Sequence, residues 1–167
     1  MNPNDIAYSQ AYTLRNEGGF VLEAYQDELG VWTVGGGCTG PDPFCSPNPT
    51  IGPGTAWTKE QAQSEFNHRH ARAIIGAAGD IGPTWNTLNG NRQAAIVDTC
   101  YQEGAGNSIT GIGGFAGYHH DIAAIQICDW PTAFAQYMNS KQAQQTPARA
   151  KRNGNMLLTG LQCPLTF

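Results

Sequence analysis

The pair Gly18-Gly19 constrains this chain more than any other feature. Ahead of it, Ile6, Ala7, Ala11 and Leu14 recur at roughly helical spacing over residues 4–16, and Asn4 can cap their start. Two glycines end such a helix because glycine enters the left-handed conformation of a helix C-terminus without a steric penalty. Behind them, Val21, Tyr25, Val31, Trp32, Thr33 and Val34 favour β structure, and Asp27-Glu28-Leu29-Gly30 reads as a turn. Residues 20–37 therefore predict a small hairpin or a three-stranded sheet. The switch also places Glu17 at the C-terminal end of a helix. The negative end of the helix dipole disfavours a carboxylate there and pushes its pKa up, which suits a general acid.

The rest of the chain reads as mostly helical. Residues 38–57 are rich in Pro and Gly, lack periodicity and predict a long loop. Thr58-Lys59-Glu60-Gln61 is a capping box opening a helix over 58–76, with Ala62, Phe66, Ala73 and Ile74 as its buried stripe and Gly76 to Pro83 as its end. Residues 91–103, with Asn91 as cap, are nearly continuous in apolar residues from Ala94 to Tyr101, as in a buried helix. A glycine-rich loop, 104–117, follows. Shorter helices are expected over 118–129 and 131–140, with Ile122, Ile125, Phe134, Tyr137 and Met138 inward and Pro131 in a first turn. Thr146 and Pro147 open a further helix through Arg152, after which Leu157, Leu158 and Leu161 dock the C-terminus.

Composition narrows the function. Across 167 residues, 40% are hydrophobic and 13% charged, enough apolar material to bury a core. The net charge of −4 argues against nucleic acid, since phosphate binding needs a basic face. Arg149, Lys151 and Arg152 form the one dense positive cluster. No run of about 18 apolar residues marks a membrane span. Residues 1–5 lack a charged and an apolar signal region, which predicts a chain that stays in the cytoplasm where it is made. Of five cysteines, Cys100 falls in the apolar helix as a buried hydrophobe. Cys38 and Cys45 flank the Pro-rich loop and could close it as a disulfide in an oxidising compartment. No cysteine or histidine spacing matches a metal site, and no cofactor is implied.

Three patterns together carry a resemblance. They are Glu17-Gly18 followed by Tyr25-x-Asp27 and Gly30-x-x-Thr33-x-Gly35; Gln102 after the apolar helix; and Gln145-Thr146-Pro147-x-Arg149-Ala150-x-Arg152. In order and approximate spacing the chain resembles the phage-type lysozymes, endolysin muramidases of glycoside hydrolase family 24, from about residue 7 to about residue 160. The resemblance implies an α+β, lysozyme-like fold over 1–167. A small β-hairpin lobe (about 17–57) is joined by a long helix (about 58–76) to a larger helical lobe (about 77–167 with helix 4–16), with the active cleft between.

The resemblance also implies an activity, hydrolysis of the β-1,4 bond between N-acetylmuramic acid and N-acetylglucosamine in peptidoglycan. Glu17 matches the general acid. Asp27 matches the second carboxylate, with Glu23 and Glu28 as rivals, and Thr33 matches the residue that helps place the attacking water. Such a water fits carboxyl groups roughly 6.5–9.5 Å apart. Gln102, Tyr101, Thr146 and Trp32 are read as substrate contacts, and Arg149 as the arginine that supports the acid. Two departures stand out. Glu17 to Asp27 is one residue longer than usual, and a bulge within 18–24 could absorb it. Cys38 stands where a His is common. The implied protein is a monomer acting on glycan strands, held in the host cytoplasm until a membrane pore opens to the wall. A lytic transglycosylase on the same bond and a catalytically weak wall-binding protein are the rival readings.

Overall fold

Helix α1, Pro3–Asn16, opens the fold of the computed structural model, which describes residues 1–27, 30–39, 50–107, 109 and 111–165. Asn2 caps α1: its Oδ1 accepts the Asp5 N–H at 2.9 Å, and Pro3 takes a first-turn position where its missing N–H costs nothing. Asn4, the expected cap, lies two residues further on, inside the first turn. The other end is the expected glycine stop. Gly18 and Gly19 have φ of 82° and 85°, the Gly19 N–H reaches Leu14 O at 2.9 Å and the Gly18 N–H reaches Arg15 O at 3.0 Å. This is the Schellman pattern, and it makes Glu17 the last residue before the chain reverses.

The β structure is a two-stranded antiparallel sheet of β1, Val21–Gln26, and β2, Trp32–Gly35. Gln26 pairs with Trp32 and Tyr25 with Thr33, but Val21 pairs with Gly35, so the register shifts between Val21 and Tyr25. The skipped residues of β1 bond elsewhere. Glu23 bridges Ala56, the Ala24 N–H donates to Thr55 O at 2.9 Å and the Trp57 N–H donates to Leu22 O at 2.8 Å. The bulge thus falls within the stretch where the extra residue was expected, and residues 55–57 supply part of a third strand.

Helix α2, Lys59–Ile81, starts with the expected capping box: the Gln61 N–H donates to Thr58 Oγ1 at 3.2 Å and the Thr58 N–H to Gln61 Oε1 at 2.8 Å. It does not end at Gly76. A Cβ there would lie 2.3 Å from that of Ala105, so this glycine admits a neighbouring segment rather than stopping the helix. A 3-10 turn, Gly82–Thr87, follows. Helix α3, Gly90–Glu103, is capped by Asn89, not Asn91; the Asn89 side chain accepts the Arg92 N–H at 3.0 Å.

Helices α4, His119–Gln126, and α5, Trp130–Met138, are shorter than their apolar patterns suggested. Cys128 has φ 59° in the turn between them, and Asp129 caps α5 with Pro131 in its first turn. Helix α6, Lys141–Gln145, was not anticipated. Helix α7, Pro147–Thr159, runs a full seven residues past Arg152 and includes Leu157 and Leu158. Leu157 is buried, but Leu161 is 69% exposed and docks nothing. The end of α7 is held by Arg92, whose Nε donates to Leu157 O at 2.9 Å while its guanidinium lies 3.8 Å over the Trp130 ring.

Contacts divide the chain into two compact units, Thr13–Arg72, and Met1–Tyr12 with Ala73–Phe167. Both boundaries fall inside helices, so the hairpin unit includes the end of α1 and the first part of α2, beyond the lobe limits expected at 17 and 57. Its small core is Val34, Cys38 and Ile51, against which Ala24, Trp32 and Trp57 pack. The helical unit has the larger core, centred on Ala94, Ala95, Ile96, Val97 and Cys100 of α3. Among the described residues no helix is long and apolar enough to cross a membrane.

Candidate active site

The hairpin unit carries the carboxylates. Glu17 is half-buried at the Schellman turn. The turn after β2 packs against it: a Cβ added to Gly37 would lie 2.6 Å from Glu17 Oε2. Gly37 has φ +84°, and its carbonyl accepts a hydrogen bond from Arg69 Nη1 at 3.3 Å. Only glycine supplies both that backbone conformation and that closeness to the acid.

Asp27 is fixed by the hairpin turn. Its Oδ1 accepts the Val31 N–H at 2.8 Å, its own N–H donates to Val31 O at 3.0 Å, and its carbonyl accepts the Gly30 N–H at 2.9 Å. Gln26 Nε2 ties the same turn at Gly30 O, 3.0 Å. The Asp side chain therefore closes the loop as an Asx-type turn residue, and the Val31 N–H helps to orient its carboxyl. Thr33 is 4% exposed, and its hydroxyl donates to Val31 O at 3.2 Å. Trp32 packs on the small core, with part of its surface open. Of the rivals to Asp27, Glu23 lies exposed in the bulge. Glu28 and Cys45 fall outside the described residues, and with Cys45 the Cys38–Cys45 pairing; Cys38 itself is 2% exposed.

The helical unit carries the other residues singled out from sequence. Tyr101 is half-buried against the main core. Gln102 donates from Nε2 to Thr146 Oγ1 at 3.3 Å and accepts at Oε1 from Gln142 Nε2 at 2.6 Å. Thr146 precedes α7 as expected but does not cap it with its side chain. Its hydroxyl donates to Gln142 O at 3.2 Å instead. Arg149 is 7% exposed and grips Asp98 bidentately, Nε to Oδ2 at 2.9 Å and Nη2 to Oδ1 at 2.8 Å. It is a buried ion-pair arginine, not part of a solvated basic patch.

Asp98, Tyr137, Gln142 and Asn153 were missed as polar partners. They join Arg149 and Gln102 in one buried hydrogen-bonded set, together with Tyr12, whose hydroxyl donates to Asn153 Oδ1 at 2.6 Å. Burial raises the Tyr137 phenol well above its ordinary pKa and keeps it protonated. One signal was available: Asp98 interrupts a run of apolar helix residues, and a buried carboxylate demands a partner.

A cavity of about 530 Å³ also opens in the helical unit, lined by Glu103, Tyr118, His120, Asp121, Gln136 and Lys141 among others. Asp121 is 4% exposed, its Oδ2 has no hydrogen-bond partner, and burial pushes its pKa up to about 7.

The chain belongs to the phage lysozyme family, whose model matches residues 15–152. It is also similar to a particular protein, the pre-baseplate central spike protein Gp5 of Enterobacteria phage T4. The two are 29% identical over 175 aligned positions, covering 95% of this chain and 28% of that protein. The chain thus spans little more than a quarter of that relative's length.

Proposed function

We propose that this chain is a glycoside hydrolase that cleaves the β-1,4 bond between N-acetylmuramic acid and N-acetylglucosamine in peptidoglycan. Glu17 gives its proton to the leaving glycosidic oxygen. Asp27, with Thr33, orients the water that attacks the anomeric carbon from the other face, so one water is consumed per bond. Gln102, Tyr101, Thr146 and Trp32 contact the glycan, and Arg149 supports the acid.

The observation that carries this reading is the local construction of the hairpin unit: an acid at a locked helix end, abutted by a glycine turn, in one unit with an Asp whose direction is set by its own turn. Membership of the phage lysozyme family supports it. Loss of turbidity of purified peptidoglycan is the test. Glu17→Gln lowers the rate by about 100-fold or more; near-full lysis by that variant removes Glu17 as the acid. Mass spectrometry of the released fragments separates hydrolysis, which adds water, from a transglycosylase, which leaves an anhydro end.

The biological setting we propose is that of an endolysin, made in the host cytoplasm and reaching the wall through a membrane pore. A second setting is favoured by one finding: the similar T4 protein is named a central spike protein and is far longer than this chain. On that reading the same cleavage is performed by a component of the phage particle. Peptide mass spectrometry of purified particles against the soluble lysate decides between the two.

A further inference from the structure

The buried polar set of the helical unit has a direction. Asp98 accepts two bonds from Arg149 and a third, at 2.8 Å, from Asn153 Nδ2. A carboxylate paired with a guanidinium presents only acceptors, so Asn153 must turn its amino group toward it. That leaves Asn153 Oδ1 for the Tyr12 hydroxyl and brings Nδ2 to the Tyr137 hydroxyl at 3.1 Å. Tyr137 meets Thr99 Oγ1 at 2.8 Å and donates to Gln142 Oε1. Gln142 then offers Nε2 to Gln102 Oε1, and Gln102 offers Nε2 to Thr146 Oγ1. Asp98, Tyr137, Gln142 and Asn153 are each no more than 1% exposed, whereas Gln102 is half-buried, at the edge where the set reaches solvent.

We propose that Tyr137 and Gln142 are positioning residues for Gln102, and that the relay anchored on Asp98 makes Gln102 present an N–H donor outward. Each member of the relay has its amide or hydroxyl oriented by the one before it. Gln102 Oε1 is occupied from inside by Gln142. Of the two Nε2 hydrogens, one goes to Thr146 and the second remains for a ligand. The complementary group is a carbonyl or hydroxyl oxygen, such as the acetamido carbonyl of an N-acetylated sugar. This last step rests on the proposed peptidoglycan activity; the orientation of Gln102 does not.

The test uses the whole chain with Tyr137→Phe and Gln142→Leu, beside Tyr8→Phe as a control. Tyr8 Oη donates to Cys163 O at 3.1 Å outside the relay, so its loss reports a similar packing defect without touching Gln102. Two readouts are taken: the side-chain amide signals of Gln102 in ¹⁵N-labelled protein, assigned through Gln102→Asn, and KM and kcat on soluble N-acetylated glycan fragments. Both relay variants are expected to shift the Gln102 amide signals and speed their exchange with water. KM is expected to rise about fivefold to tenfold, the loss of roughly one hydrogen bond, with kcat within about twofold. Tyr8→Phe moves neither. Unmoved Gln102 signals in both relay variants overturn the positioning. Moved signals with a KM that changes no more than in Tyr8→Phe overturn the outward donor. A wild type that turns over no glycan, with Gln102 signals still shifted by the variants, removes the activity reading and leaves the positioning intact.

Discussion

The two units hold their polar residues in opposite ways. In the hairpin unit, short-range bonds brace Glu17, Asp27 and Thr33: a Schellman turn, an Asx-type turn and a hydroxyl bonded two residues away. In the helical unit, Gln102 and Arg149 make bonds that span tens of residues to partners on other helices, as Arg149 does across 51 positions to the buried Asp98. The difference has an energetic meaning. Local turn bonds set direction while adding little to global stability, whereas a buried pair is costly to break because its abandoned partner stays desolvated. Changes in the hairpin unit should therefore appear in turnover, and changes in the helical unit in stability.

Asp98→Ala tests the second half of that contrast and carries the largest expected effect. It removes the bidentate carboxylate partner of the buried Arg149 guanidinium and an acceptor of Asn153 Nδ2, and should lower the unfolding free energy by about 3–5 kcal/mol in urea titration. Wild-type stability in this variant would break the comparison. Gly37→Ala tests the first half. A Cβ at φ +84° costs about 1–2 kcal/mol of backbone strain, and it would sit 2.6 Å from Glu17 Oε2, displacing the acid. Turnover should fall between about 10-fold and 100-fold while most of the stability remains. A variant equally hurt in both would merge the two units into one behaviour.

Asp121→Asn sharpens the contrast through pH. In the folded chain burial raises Asp121 from 3.8 to about 7, so the folded state holds this proton where the unfolded state has lost it. The unfolded state binds fewer protons between about pH 4 and pH 7, and stability falls as pH rises through that window. Asparagine has no charge to bury. The variant should unfold about 2–6 °C higher at pH 7.5, equivalent to roughly 1–2 kcal/mol after allowing for screening by cavity water, and match the wild type near pH 4. A Tm gain that is the same at both pH values would show that the charge is not the cause. Thr58→Ala removes one half of a capping box in the hairpin unit, and calorimetry should register about 1 kcal/mol. A much larger loss would mean that local bonds carry more of that unit than its turns suggest.

Sequence reading fared differently in the two units for the same reason. Gly18-Gly19, the turn at Asp27 and the capping box at Thr58 are local, and each follows from a few adjacent residues, while the bulge in β1 was legible only as one residue too many between Glu17 and Asp27. The helical unit yielded its element order but not its wiring. Gly76 looks like a helix stop, yet its lack of a Cβ serves the approach of Ala105, which no window around residue 76 contains. Leu161 looks like a docking residue but lies beyond the Gly160 turn, exposed. Gln142 and Asn153 have the composition of surface positions and are 0% exposed, because their partners arrive from other helices. Tyr137 was legible as an inward ring, not as a hydroxyl donor. The carboxylates and Thr33 could be nominated from motif and turn chemistry; their supporting shell could not.

The displaced register of β1 has a consequence for how such chains diverge. Between Val21 and Tyr25 the strand is tied to residues 55–57 rather than to β2, while Tyr25 onward keeps its pairing up to the turn. Length can therefore change in that interval without rotating Asp27 or Thr33 to the opposite face. Insertions and deletions there are buffered, whereas a single residue gained between Asp27 and Thr33 would invert the alternation of β2. A library with random insertions across 20–34 should keep function only in its first few positions, a length tolerance that stops where the ladder resumes.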